Sequence, residues 1–109
     1  MEEITISYTT NFITCLDELV FVLYNENYFS YIENAYDYTS KIYDFIDYSL
    51  ATFPRKNTPK SLSKYGDYYV FYKSNARTTW YIFFSKKQNV FLIKHITNNH
   101  SFDSKLFNE

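Results

Sequence analysis

Glycine is almost missing from this chain: Gly66 stands alone in 109 residues, beside two prolines, one cysteine and one methionine. A single cysteine, Cys15, excludes an internal disulfide. Two histidines and one cysteine are too few for a zinc site made by the protein alone. The chain has no phosphate loop, no paired cysteines, no HExxH and no serine in a nucleophile elbow, which removes the motif-bearing enzyme classes. It also lacks a signal peptide and any apolar run of membrane-spanning length, so a cytoplasmic protein with no membrane partner is expected. Asn99-His100-Ser101 matches a glycosylation sequon, but that compartment gives it no use.

Aromatic residues fill the gap. Thirteen tyrosines and eleven phenylalanines supply nearly half of a 46% hydrophobic content, which is the composition of a folded domain. The length suits one domain over residues 1–109, with a modest core. Tyrosine packs its ring while keeping its hydroxyl wet, so many of these side chains are expected half-buried. The net charge of −1 hides a segregation. Residues 1–54 carry nine acidic side chains against Lys41 alone, and residues 55–109 carry ten basic ones against three acidic. One fold then presents an acidic surface and a basic one, and the basic one suits nucleic acid or an acidic protein.

In chain order, Ile4 and Ile6 alternate with polar residues up to Tyr8 and predict a short strand. Thr9, Thr10 and Asn11 offer N-cap oxygens to a helix over 10–24, whose apolar stripe is Phe12, Leu16, Leu19/Val20 and Leu23. Asn25-Glu26-Asn27 reads as its terminating turn. A second helix is expected over 30–52, with Ile32, Ala35/Tyr36, Ile42, Phe45/Ile46 and Phe53 inward, ended by Pro54. So short a connection makes the two helices an antiparallel hairpin. Their stripes serve as core, and no cofactor is expected. Arg55 to Lys64 reads as a basic loop. Strands follow at about 68–73, 78–85 and 90–97, joined by Ser74-Asn75-Ala76 and Lys86–Asn89. Asn98 to Glu109 reads as a polar exit segment. The expected fold is α+β in the order β-α-α-β-β-β, an antiparallel sheet with a helical hairpin packed on one face.

Chemistry, if present, belongs to the basic half. Lys73 and Arg77 flank the first hairpin loop and can hold a phosphate. Strict alternation puts Lys94, Ile96 and Asn98 on one face of the last strand, and His95, Thr97 and Asn99 on the other. His100, just past its end, can act as a general acid or base near neutral pH, as can His95. Tyr69, Tyr72 and Tyr81 are candidate platforms for splayed RNA bases.

The element order and the segments TTWYIFF and NVFLIKHITNNHS resemble the RelE/ParE superfamily of bacterial type II toxins. The family strand pair "YRLVY … VISV" has its counterpart in residues 80–84 and 91–96. The resemblance implies a growth-inhibiting toxin held inactive by a cognate antitoxin protein. RelE-like members cleave mRNA on the ribosome with basic strand residues and a Tyr or His near the last strand. The RNA 2′-hydroxyl is the nucleophile there, so no metal is needed. ParE-like members poison DNA gyrase instead. By resemblance Lys73 and His100 fall on the family's basic positions, Arg77 substitutes from the adjacent loop, and Lys94, Asn98, Asn99, Tyr72 and Tyr81 contact RNA. The family's arginine falls on Trp80, or on Tyr69 in an alternative register; the first register is preferred because it leaves three strands after the helices.

Overall fold

The computed structural model describes residues 3–25, 32–74 and 76–99. Strand β1 (Thr5–Tyr8) leads into α1 (Thr10–Asn25) and α2 (Ile32–Ser49). A two-residue strand β2 (Lys56–Asn57) and a 3-10 helix (Lys60–Tyr65) follow, then β3 (Tyr68–Lys73), β4 (Thr79–Lys87) and β5 (Val90–Asn98). The fold is α+β, as expected. The sheet is mixed rather than antiparallel: its order is β1-β5-β4-β3-β2, and β1 runs parallel to β5 while the other neighbours are antiparallel. The chain crosses the helical layer before β5 returns beside β1, and such a crossover permits parallel pairing.

Thr9 begins the helical layer. Its hydroxyl accepts a hydrogen bond from the Phe12 amide at 3.1 Å, which caps α1. Phe12, Leu16 and Val20 are then buried on one stripe, facing Ala35, Ile42 and Ile46 of α2 and the inner face of the sheet. Leu50, just beyond α2, is buried with them, whereas Tyr36 of the expected stripe points outward. Tyr38 and Tyr43 take the intermediate positions, packing rings against the core. Helix α2 ends at Ser49, and Phe53 closes the following turn through its amide on the Ser49 carbonyl. The predicted start of the second helix at Ser30 and residues 100–109 of the exit segment lie outside the described residues, whereas Asn98, expected to begin that segment, is the last residue of β5.

Within β4, Trp80, Ile82 and Phe84 face the helices and are fully buried, yet Phe83 on the other face is fully buried too. Something must cover that face, and the segment read as a basic loop does so. Pro59 precedes the 3-10 helix, in which side chains three apart eclipse, so Leu62 and Tyr65 point the same way. Leu62 is fully buried, and Tyr65 lies against Phe83 at 5.5 Å between ring centroids. Gly66 ends the 3-10 helix at φ 153°, directly over the backbone of Phe84. A β-carbon there would lie 2.9 Å from the Phe84 nitrogen and 3.0 Å from its oxygen. This close approach is what the only glycine is for.

The last strand departs from strict alternation. Phe84 pairs with Ile93 but Phe83 pairs with His95, so Lys94 is an extra, unopposed residue in a β-bulge. Phe91 and Ile93 face the helices before the bulge, and Ile96 does so after it. Lys94 therefore does not share a regular face with Ile96 and Asn98. The hairpin joining β4 to β5 is also tighter than predicted: Lys87 pairs with Val90, leaving a two-residue turn in which Gln88 adopts φ 56°.

Candidate nucleic-acid interface

The end of the sheet where β3 finishes, β4 begins and β5 finishes brings the expected cations together. Lys73 pairs with Thr79, and the chain between them carries Arg77. Both Lys73 and Arg77 are exposed. Two fixed clamps hold this hairpin. From the sheet, the Asn99 amide nitrogen donates to the Arg77 carbonyl at 3.1 Å while its side-chain oxygen accepts from the Thr79 amide at 2.9 Å. From the helical layer, Tyr38 meets Ser74 through their hydroxyls, and the Ser74 hydroxyl donates to the Thr78 carbonyl at 3.2 Å. The Trp80 indole donates to the same Tyr38 oxygen at 2.8 Å. A part-buried chain of polar groups of this kind rigidifies what it touches.

Next to the hairpin, on the face away from the helices, Tyr69, Phe71, Lys73, Thr79 and Tyr81 line a shallow groove of about 390 Å³. Its floor is aromatic, with Tyr69 and Tyr81 rings 6.4 Å apart, and Phe71 is 40% exposed. The Lys56 ammonium lies 5.9 Å above the Phe71 ring. Burial, with the neighbouring Tyr81, raises the pKa of the Tyr69 hydroxyl, so at neutral pH it remains a proton donor. The sheet layer as a whole is cationic: Arg55, Lys56, Lys60, Lys64 and Lys87 are exposed on it and its 3-10 cap. The helical layer carries the opposite sign, with Asp17, Glu18, Asp37, Asp44 and Asp47 exposed. Charge segregation along the sequence has become charge segregation between layers.

This arrangement puts an ammonium and a guanidinium on one hairpin, where they can meet a phosphate while a base lies on a tyrosine ring. Of the other residues expected there, Asn99 reaches this end, but as the clamp just described. Tyr72 is on the opposite face: its ring stacks on Phe45 at 4.7 Å beneath the helices and cannot meet a base. Asn98 is 2% exposed and pairs with the buried Trp80, so it is not a contact residue. Lys94 is half-buried at the bulge, away from the hairpin, and its carbonyl accepts from Thr9 and Asn11. His95 is buried mid-strand opposite Phe83, stacked on Tyr65 at 3.8 Å. His100 lies outside the described residues. Trp80 is fully buried, so the preferred register puts the family's arginine position inside the core, whereas Tyr69 of the alternative register lines the groove.

Sequence reasoning missed Phe71, Lys56 and the cover provided by Leu62 and Tyr65. Leu62 and Tyr65, three apart after Pro59, form too short a pattern to announce that cover. Among the described residues no helix is long and apolar enough to cross a membrane, and no group of His, Cys, Asp and Glu is arranged to hold a metal ion. No protein-family model matches the chain, and neither does any curated protein or solved structure.

Proposed function

We propose that this chain is a RelE/ParE-like toxin of a type II toxin–antitoxin pair, acting in the cytoplasm by ribosome-dependent cleavage of mRNA. The observation that carries the reading is a hairpin with exposed Lys73 and Arg77 beside a groove lined by Tyr69 and Tyr81, at the open end of the sheet face away from the helices and opposite an acidic helical layer. In this reading the RNA 2′-hydroxyl attacks the adjacent phosphorus and the 5′-oxygen leaves. Lys73 and Arg77 hold the phosphate and offset the charge that grows on its oxygens. Tyr81 or Tyr69 carries the neighbouring base, and His100 moves the protons. A cognate antitoxin would silence the protein by covering this face.

The test is induced expression in a bacterial host, with growth and mRNA 5′ ends followed together. Wild type should arrest growth and create new 5′ ends in translated messages. Lys73→Ala with Arg77→Ala should lower cleavage by roughly a hundredfold or more, since each removes a preorganised charge. New ends of undiminished intensity in that double variant would sink the site assignment.

A second reading is a non-catalytic binding module on the same fold, ParE-like in poisoning DNA gyrase or directed at another protein. The observation favouring it is that neither register supplies an arginine: one places the buried Trp80 there and the other Tyr69. Growth arrest without new mRNA ends is its expected outcome.

A further inference from the structure

A second cluster lies on the other side of β5, where β1 ends and α1 begins. Beyond Ile93 the edge of β5 is no longer covered by β1, and the start of α1 runs beside it. The Thr9 amide donates to the Ile93 carbonyl at 3.0 Å, and the Thr9 hydroxyl to the Lys94 carbonyl at 3.1 Å. Asn11 and Cys15, one helical turn apart, face His95. The Asn11 amide nitrogen donates to the Lys94 carbonyl at 2.9 Å and lies 3.2 Å from His95 Nδ1. Cys15 Sγ lies 3.7 Å from the same ring nitrogen and 3.7 Å from Asn11 Oδ1. The bond to Lys94 fixes which end of the Asn11 amide is the nitrogen, because a carbonyl only accepts. Nδ1 therefore faces an N–H and is the unprotonated, accepting nitrogen of the ring. The ring itself is held flat against Tyr65, with planes 6° apart.

A thiol within reach of an unprotonated imidazole nitrogen is the pairing that activates a cysteine nucleophile. Here it has access. Cys15 is partly exposed and opens onto a cleft of about 250 Å³ between α1 and β5. Leu19, Val22 and Ile96 make its walls apolar, and the carboxylate on its lining is Glu18.

We infer that Cys15 is a site of reversible S-thiolation, with His95 as the proton acceptor and a small organic disulfide carrying a cationic group as the co-substrate. As the Asn11 N–H gives up Nδ1, the Cys15 thiol passes its proton to that nitrogen and its sulfur attacks one sulfur of the disulfide. The S–S bond breaks, a mixed disulfide forms on Cys15, and the departing thiolate takes the proton back from His95. The disulfide is the oxidant, and one free thiol is released for each protein modified. Glu18 selects for positive charge on the incoming reagent. The site stands independently of the proposed ribonuclease.

The experiment is the rate of mixed-disulfide formation on the full chain, followed by intact mass, with cystamine as the cationic disulfide and oxidised glutathione as the anionic one. Wild type should react with cystamine about tenfold faster folded than in denaturant. Its rate should rise at a pH below the ordinary thiol range, with a second limb within that range. Glu18→Lys, at an exposed position, should reverse the preference between the two reagents. His95→Gln retains an acceptor for Asn11 and should abolish the acceleration and its low-pH limb. If that variant does not fold, the wild-type pH profile and Glu18→Lys decide. A folded-state rate no faster than in denaturant, or a charge preference unmoved by Glu18→Lys, overturns the inference.

Discussion

Replacing Gly66 by alanine is the sharpest test of how the uncovered-looking face of this sheet is closed. The residue sits at φ 153° and ψ 170°, a region that L side chains avoid. Holding a non-glycine residue in such a region costs about 1–3 kcal/mol. The added β-carbon would also sit 2.9, 3.0 and 3.2 Å from the nitrogen, oxygen and carbonyl carbon of Phe84. Those atoms are backbone in the middle of β4, paired on both sides, so they cannot yield as a flexible side chain would. Overpacking of that kind costs about 1–3 kcal/mol more. The two costs share a remedy, a shift of the Tyr65–Asp67 backbone, so they do not simply add, and a total of about 3 kcal/mol is expected. For a domain of this size that lowers Tm by roughly 12–24 °C. Thermal melts by circular dichroism, with urea titration at 25 °C, measure it directly. A drop of less than about 4 °C would mean that the 3-10 segment does not press on β4, and the account of Phe83 burial would fall with it.

Other perturbations probe the remaining contacts. Trp80→Phe removes the indole bond to Tyr38 and part of a fully buried side chain, and should cost about 2–3 kcal/mol in urea titration. Asn99→Ala leaves the Arg77 carbonyl and Thr79 amide to solvent; it should destabilise by about 1 kcal/mol and weaken RNA cleavage more than that loss of folded protein accounts for. The Tyr8 hydroxyl donates to Asp47 at 2.6 Å, and burial first, then this bond, raise its pKa well above the ordinary value. A proton held more tightly in the folded state gives stability that is complete below pH 10 and is lost as pH rises beyond it. Wild type should therefore lose stability above pH 10, and Tyr8→Phe should show a shallower alkaline decline in the same melts.

Much of this fold was legible because its residues alternate cleanly where one face is wet. The helices show their stripes since Asp17, Glu18, Asp37, Asp44 and Asp47 mark the outer faces, and β3 was bounded correctly at both ends. The 3-10 cap was not legible, because Leu62 and Tyr65 are isolated among lysines and serines and short 3-10 turns carry no sustained period. The same difficulty explains the site. In a strand such as Tyr68–Lys73, where nearly every residue is aromatic, period two does not say which set faces out, so Tyr72 and Tyr81 looked equivalent. They lie on opposite faces. The bulge at Lys94 shifts alternation by one residue, which no local pattern announces, and it turned Asn98 inward. Charge was the better guide: Lys73 and Arg77 beside a turn had nowhere to go but the surface. Contacts remote in sequence were beyond reach, since nothing near Cys15 points to a histidine 80 residues away. Trp80 joins these threads. As a register marker it suggested a lost arginine, yet its fully buried indole holds Tyr38, and through Ser74 the hairpin that carries Arg77. An arginine there would bury an unpaired charge and free that hairpin. In this chain position 80 anchors the basic hairpin, and whatever charge the substrate meets must come from Lys73 and Arg77.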